Sequence, residues 1–237
     1  MGPTYDMIHG ELCRLANPGV ARSSQRFFKT GPGEYGAGDR FLGISVPQLR
    51  RLVPEFQGAT LATVTTLLES AWHEERLFAL LLLARQYALG DKAARLRIAK
   101  RYLARRKRVN NWDLVDSSAH LILGPHLQAT DRRLLDRLAR SRSLWDRRIA
   151  MLTTLCYIRQ GDHGDALRIA KLLIGDGEDL IHKAVGWMLR EIGNRDPGVE
   201  RGFLDVHAAR MPRTMLRYAI EKFPARERAR YMKEATR

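Results

Sequence analysis

"RLFALLLLARQYALGDKAARLRIAK" occupies residues 76–100, and "RRIAMLTTLCYIRQGDHGDALRIAK" occupies residues 147–171. A shift of 71 residues lays one over the other. Arg76 then falls on Arg147, Ala79 on Ala150, Leu81 on Leu152 and Gly90-Asp91 on Gly161-Asp162, while LRIAK falls on LRIAK. A helix, its loop and the following helix repeat in step, which scattered chance identities do not do. Half of that shift approaches the roughly 40-residue unit of two-helix repeats. The pattern predicts an all-α fold, an α-solenoid or superhelix of HEAT-like helix pairs, running over 1–237 as a single repeat domain. Such an array is curved, with a concave inner face open to an extended partner.

The rest of the chain supports this reading. Apolar residues recur at helical spacing in "EERLFALLLLARQYAL", "DALRIAKLLI" and "DLIHKAVGWMLREIG", which read as amphipathic helices, and no strand-like alternation stands out. Short breaks rich in Gly, Asp and Pro ("FQGA", "GPHLQATD", "GDGEDL", "NRDPG") have the length of helix-to-helix connections. One irregular stretch, 30–40, is longer, and it is expected to cover an end or edge of the array.

Charge narrows the partner. The 237 residues carry 41 Lys and Arg against 26 Asp and Glu, a formal +15. An excess of that size reads as a solvated surface or attraction to anionic lipid, or, more sharply, as a polyanion partner, above all nucleic acid. The excess is mostly arginine, whose planar fork suits phosphate oxygens. No apolar run approaches the roughly 20 residues of a membrane span, and the N-terminus shows no basic segment followed by an apolar one. Cys13 and Cys156 stand apart from each other and from any Cys/His cluster. The expectation is a monomeric, cytoplasmic protein with reduced thiols, no metal and no cofactor.

Four helices carry the unusual residues. In "NNWDLVDSSAHLIL", 110–123, Asn110 or Asn111 caps a helix and Asp113 sits in its first turn, where a carboxylate favours the helix dipole. Asp116 lies four residues after Trp112, so the two share a helix face, while Leu114, Val115 and Ile122 face the core. On pattern alone the plainer reading is a core Trp112 and an Asp116 paired with an arginine. The other points both towards the groove. "SLWDRRIAMLTTLCYI", 143–158, repeats the Trp-Asp opening, with Ser143 as cap and Asp146 in the first turn. Ile149, Leu152, Leu155 and Cys156 make its apolar stripe. Arg148 lies off that stripe, as a surface ion pair or a phosphate contact.

In "LIHKAVGWMLREIGNRD", 180–196, Trp187 has Lys183 four residues before it and Arg190 three after. His182 reads as structural. In "MPRTMLRYAIEKF", 211–223, Arg213 and Arg217 repel each other by a few tenths of a kcal/mol at i, i+4, and an anion relieves this. Nucleotide-binding, serine-nucleophile and zinc motifs are all missing from the sequence.

Five segments in order, "RFFKTGPGEYGAGDRFLGISVPQLRRL", "NNWDLVDSSA", "SLWDRRIA", "DLIHKAVGWMLREIG" and "MPRTMLRYAIEKF", resemble the AlkD-type DNA alkylation-repair glycosylases, from about residue 20 to 232. The resemblance implies a HEAT-like solenoid that removes positively charged alkylated purines, such as 3-methyladenine and 7-methylguanine, from duplex DNA. It places the catalytic aspartate on Asp116, the lesion-flanking tryptophans on Trp112 and Trp187, and a backbone-contacting arginine on Arg148. It also implies that the base need not be sequestered in a pocket. The sequence departs at Asn111, where the better-known branch has a second tryptophan, and this bears on the damage spectrum. Two other readings remain: a non-catalytic solenoid binding damaged, bent or branched DNA, and a protein-binding scaffold.

Overall fold

The computed structural model describes residues 2–234. Among them all regular secondary structure is helical, apart from one isolated β-bridge between Arg40 and Trp72. No helix among the described residues is long and apolar enough to cross a membrane. The chain forms two compact units, Met1–Ile122 and Leu123–Arg237.

The first unit holds α1 (Tyr5–Arg14), α2 (Pro18–Phe27), α3 (Val46–Phe56), α4 (Leu61–Leu68), α5 (His73–Leu89), α6 (Lys92–Ala104), the short α7 (Trp112–Asp116) and the start of α8 (Ala119–Gln128). The helix starts are written in the sequence. The Thr4, Asn17, Thr60 and Asp91 side chains each accept a first-turn amide, and Ser45 with Gln48 forms a capping box.

Helix α5 is the centre of this unit. It departs from the expected amphipathic pattern, because residues 73–84 are buried without a break. The reason is its position: α3, α4, α6 and α7 all pack against it. Its first turn therefore buries four polar side chains, and each finds partners. Glu74, for example, accepts the amides of Leu42 (2.9 Å), Gly43 (2.7 Å) and Ile44 (3.2 Å). Gly43 has φ +81°, and a Cβ there would lie 2.2 Å from the Asn17 carbonyl oxygen, so this turn requires glycine.

The second unit holds the rest of α8, then α9 (Leu134–Ala139), α10 (Leu144–Thr153), α11 (Leu155–Ile158), α12 (Gly164–Leu173), α13 (Asp179–Gly193), α14 (Pro197–His207), α15 (Arg213–Ala219) and α16 (Ala225–Glu234). Here α13 is central and amphipathic as expected. Ile181, Ala184, Val185, Met188, Leu189 and Ile192 make one buried stripe against α10, α12, α14 and α15. The helix expected over 143–158 is interrupted. Thr153 Oγ1 donates to the Ile149 carbonyl (2.7 Å) and Thr154 Oγ1 to that of Met151 (2.6 Å), competing with the helical ladder between α10 and α11.

The internal repeat is structural as well as sequential. Arg76 Nη1 donates to the Ser70 carbonyl (3.1 Å), and Arg147 Nη1 donates to the Ser141 carbonyl (3.0 Å). Ser70 Oγ accepts the Trp72 amide, and Ser141 Oγ accepts that of Ser143, again 71 positions on. Each arginine also pairs with an aspartate from elsewhere in its own unit, Arg76 with Asp39 (2.7 Å) and Arg147 with Asp176 (2.6 Å).

Candidate functional site

Helix α7 is a single short turn. Asn111 is its cap, extended at φ −149°, with Oδ1 accepting the Trp112 amide (2.8 Å). The helix stops at Asp116, earlier than the sequence pattern suggests. Ser118 Oγ donates to the Leu114 carbonyl (2.5 Å) and meets Tyr102 Oη (3.1 Å), which turns the chain before α8 begins. Leu114 and Val115 are fully buried, as expected. Trp112 and Asp116, one turn apart on the same face, are each half-buried.

Trp112 does not enter the aliphatic core. Its ring stacks on Phe28 (centroids 5.2 Å, planes 20° apart) and meets the edge of Phe27 (5.8 Å, 74°). Phe27 is 66% exposed. The site in the first unit is thus a carboxylate beside a half-open aromatic cluster. Phe27 and Phe28 were not singled out from the sequence, although "RFF" immediately precedes the irregular stretch 30–40. That stretch packs back on them: a Cβ at Gly36 would lie 2.5 Å from the Phe28 carbonyl oxygen and 3.5 Å from Asn111 Nδ2.

Beneath α7 lies a buried charged quartet. His73, 1% exposed, places Nδ1 3.1 Å from Asp39 and Nε2 2.8 Å from Asp113. Asp39 also receives Arg76 Nη2 (2.7 Å). Burial alone would lower the His73 pKa, but the Asp113 and Asp39 carboxylates outweigh it and raise it to about 9. Burial likewise opposes ionisation of Asp39, yet His73 and Arg76 hold its carboxyl below the usual range. Asp113 was expected only to start the helix. It does accept the Leu114 amide (2.9 Å), but its other oxygen serves His73. The sequence separations are 34 and 40 residues, so no local pattern announces the cluster.

The remaining candidates lie in the second unit. Arg148 is 4% exposed and donates Nη1 to the Leu180 carbonyl at the start of α13. It was expected off the apolar stripe at the surface. It is instead buried, because α13 packs over that face of α10. Lys183 is half-buried and pairs with Asp179 one turn earlier (2.7 Å), while Arg190 pairs with Glu221. Trp187 is half-buried, with Nε1 donating to Glu191 (3.3 Å). His182 Nε2 meets the Asp176 carbonyl (2.5 Å), a structural contact as expected. Arg213 and Arg217 are exposed one turn apart on α15. Next to Trp187, Gly186 lets α15 approach closely, since a Cβ there would lie 2.3 Å from the Met215 carbonyl oxygen.

A basic, all-α chain with an internal repeat, and with an acid one helical turn from a half-open indole and phenyl cluster, belongs to the class of helical α-solenoid proteins. The family can be stated more closely. The DNA alkylation repair enzyme model matches residues 8–223, and the chain belongs to that family. Its role accordingly lies in the repair of alkylated DNA. The solved structure of a predicted DNA alkylation repair enzyme from Enterococcus faecalis is similar, with a TM-score of 0.67 and 16% identity, covering 89% of this chain and 97% of that one. At that identity the likeness bears on fold alone, and it agrees with the α-solenoid class read from the repeat. No curated protein matches the chain.

Proposed function

We propose that the protein is a monofunctional DNA N-glycosylase that excises cationic alkylated purines, such as 3-methyladenine and 7-methylguanine, from duplex DNA. The observation that carries this reading is Asp116 one helical turn from Trp112, on the face that holds the Phe27–Phe28–Trp112 cluster. Alkylation at a ring nitrogen leaves the base positively charged and already a good leaving group, so no general acid is needed. Cleavage of the glycosidic bond builds positive charge on the deoxyribose, as in other glycosyl transfers. Asp116 stabilises that charge and orients the attacking water. Trp112 and Trp187 offer indole faces to cationic sugar and base, at roughly 0.5–2 kcal/mol per contact.

Exposed Arg213 and Arg217 supply phosphate contacts on α15. Lys183 and Arg190 join them by exchanging carboxylate for phosphate, and Arg148, buried on α10, contributes by holding the start of α13 through the Leu180 carbonyl. The product is an abasic site in an uncut strand, and the protein works as a monomer without cofactor or metal.

The test is release of 7-methylguanine from alkylated duplex DNA. Removing one preorganised electrostatic group costs about 10²–10³-fold in rate, so Asp116→Asn is expected to lose at least 10²-fold while binding DNA normally. Wild-type release by this variant refutes the role of Asp116. Tight DNA binding with no release by the wild type, over several alkylated bases, favours the non-catalytic reading instead.

A further inference from the structure

We infer that His73 is a positioning residue for the reaction proposed above: spanning Asp39 and Asp113, it fixes α7, and with it the Asp116 carboxylate and the Trp112 ring. The inference rests on the glycosylase reading, but its physical basis does not.

A helix of five residues cannot hold itself together, because nucleation costs more than its few hydrogen bonds return. The geometry of α7 is therefore set from outside. Asp113, in its first turn, hangs on His73 Nε2 (2.8 Å), and three residues later comes Asp116. The other ring nitrogen reaches Asp39 (3.1 Å), at the end of the irregular stretch that packs on Phe28 and Asn111. Serving two carboxylates at once requires a proton on both nitrogens, so the ring is an imidazolium. The charges facing it balance: Asp39 from the loop and Asp113 from α7 against the ring and Arg76 of its own helix, with Arg108 behind Arg76.

The same ring supports Trp112 by a second route. Phe41 stacks on it (4.7 Å, 23°) and Phe28 tilts on it (4.9 Å, 39°), an arrangement a cation favours. Phe28 in turn carries the Trp112 stack. His73 thus touches what positions both candidate groups while being 1% exposed itself. A displacement of about 1 Å at a reacting group costs up to about 10²-fold in rate.

Two substitutions separate positioning from general stability. His73→Gln sets its amide nitrogen near the place of Nε2 and keeps the bond to Asp113; His73→Asn sets it near Nδ1 and keeps the bond to Asp39. Single-turnover release of 7-methylguanine at saturating enzyme is expected to fall about 10²-fold in His73→Asn and less than about 10-fold in His73→Gln. The dissociation constant for DNA should change less than about threefold in both. Equal rates in the two variants, or the reverse order, overturn the inference.

Amide hydrogen exchange over residues 113–118, without DNA, tests the same claim independently of catalysis. It should be faster in His73→Asn than in His73→Gln, and equal exchange overturns the inference. If neither variant folds, ¹⁵N-correlated NMR of the wild type decides: two protonated ring nitrogens on His73 at pH 7.5 support it, and a neutral ring overturns it. A wild type that releases no base, with the exchange order as expected, refutes the glycosylase reading while leaving His73 as the residue that holds α7.

Discussion

Replacing Gly186 by alanine should destabilise the protein, although alanine is the better helix former. Gly186 lies mid-way along α13, and in an unconstrained helix interior the change gains about 1 kcal/mol. Here the new Cβ would lie 2.3 Å from the Met215 carbonyl oxygen, 2.5 Å from Tyr218 Cβ and 3.2 Å from the Ala219 nitrogen. The first of these is about 1 Å short of ordinary contact. It is a backbone oxygen inside α15, so no side-chain rotation relieves it, and the two helices must separate. Overpacking of this kind costs about 1–3 kcal/mol, and a clash with backbone belongs at the upper end. The expected net loss is about 2 kcal/mol.

The assay is urea unfolding at constant m-value. Gly10→Ala and Gly202→Ala serve as controls, since a Cβ at either position meets nothing within 4 Å. Both sit within helices and should gain a few tenths to about 1 kcal/mol. If Gly186→Ala proves as stable as these controls, the close approach of α15 to α13 is wrong.

Arg217→Ala should weaken binding to duplex DNA of any sequence and reduce the slope of log K against log salt by about 1, the change expected when one phosphate is no longer neutralised; an unchanged slope removes Arg217 from the interface. Glu200, 2% exposed against Gly193 on α13, has its carboxyl pushed up to about 8, chiefly by burial, with Arg201 and Arg190 opposing. Its folded pKa exceeds the unfolded value, so the native state binds its proton more tightly, and stability is lost as pH rises from about 4.5 to about 8. His73, raised to about 9, contributes stability below about 6.5 that is lost as pH rises through 9. Thermal unfolding should accordingly show falling Tm from pH 5 to 9, and Glu200→Gln should flatten the part below pH 8; an unflattened curve rules out Glu200 as its source.

The helical class and the repeat were legible because both rest on local spacing. Arg76 and Arg147 align in sequence, and each finds the carbonyl of a serine six residues before it. The caps were legible for the same reason: Ser143 accepts the Asp146 amide as its position suggests. Helix ends at Ser117–Ser118 and Thr153–Thr154 were not, since hydroxyl bonds to preceding carbonyls leave the hydropathy pattern intact. The shared face of Trp112 and Asp116 follows from a spacing of four. What surrounds them does not, because Phe28 and His73 arrive from segments 84 and 39 residues away from Trp112 in sequence. Arg148 shows the opposite error: an arginine off an apolar stripe reads as exposed until a second helix covers it.

The ion pairs have a bearing on the protein while it is being made. Arg132, Arg147 and Arg201 are each engaged by carboxylates that lie some 26 to 33 residues further along the chain. A nascent segment emerges before those pairs have closed, and its arginines then face the polyanions of the cell uncompensated. Folding therefore confines the attraction of these arginines for polyanions. The growing chain is a less selective polyelectrolyte than the finished protein, and closing each of these pairs withdraws one site of indiscriminate adhesion.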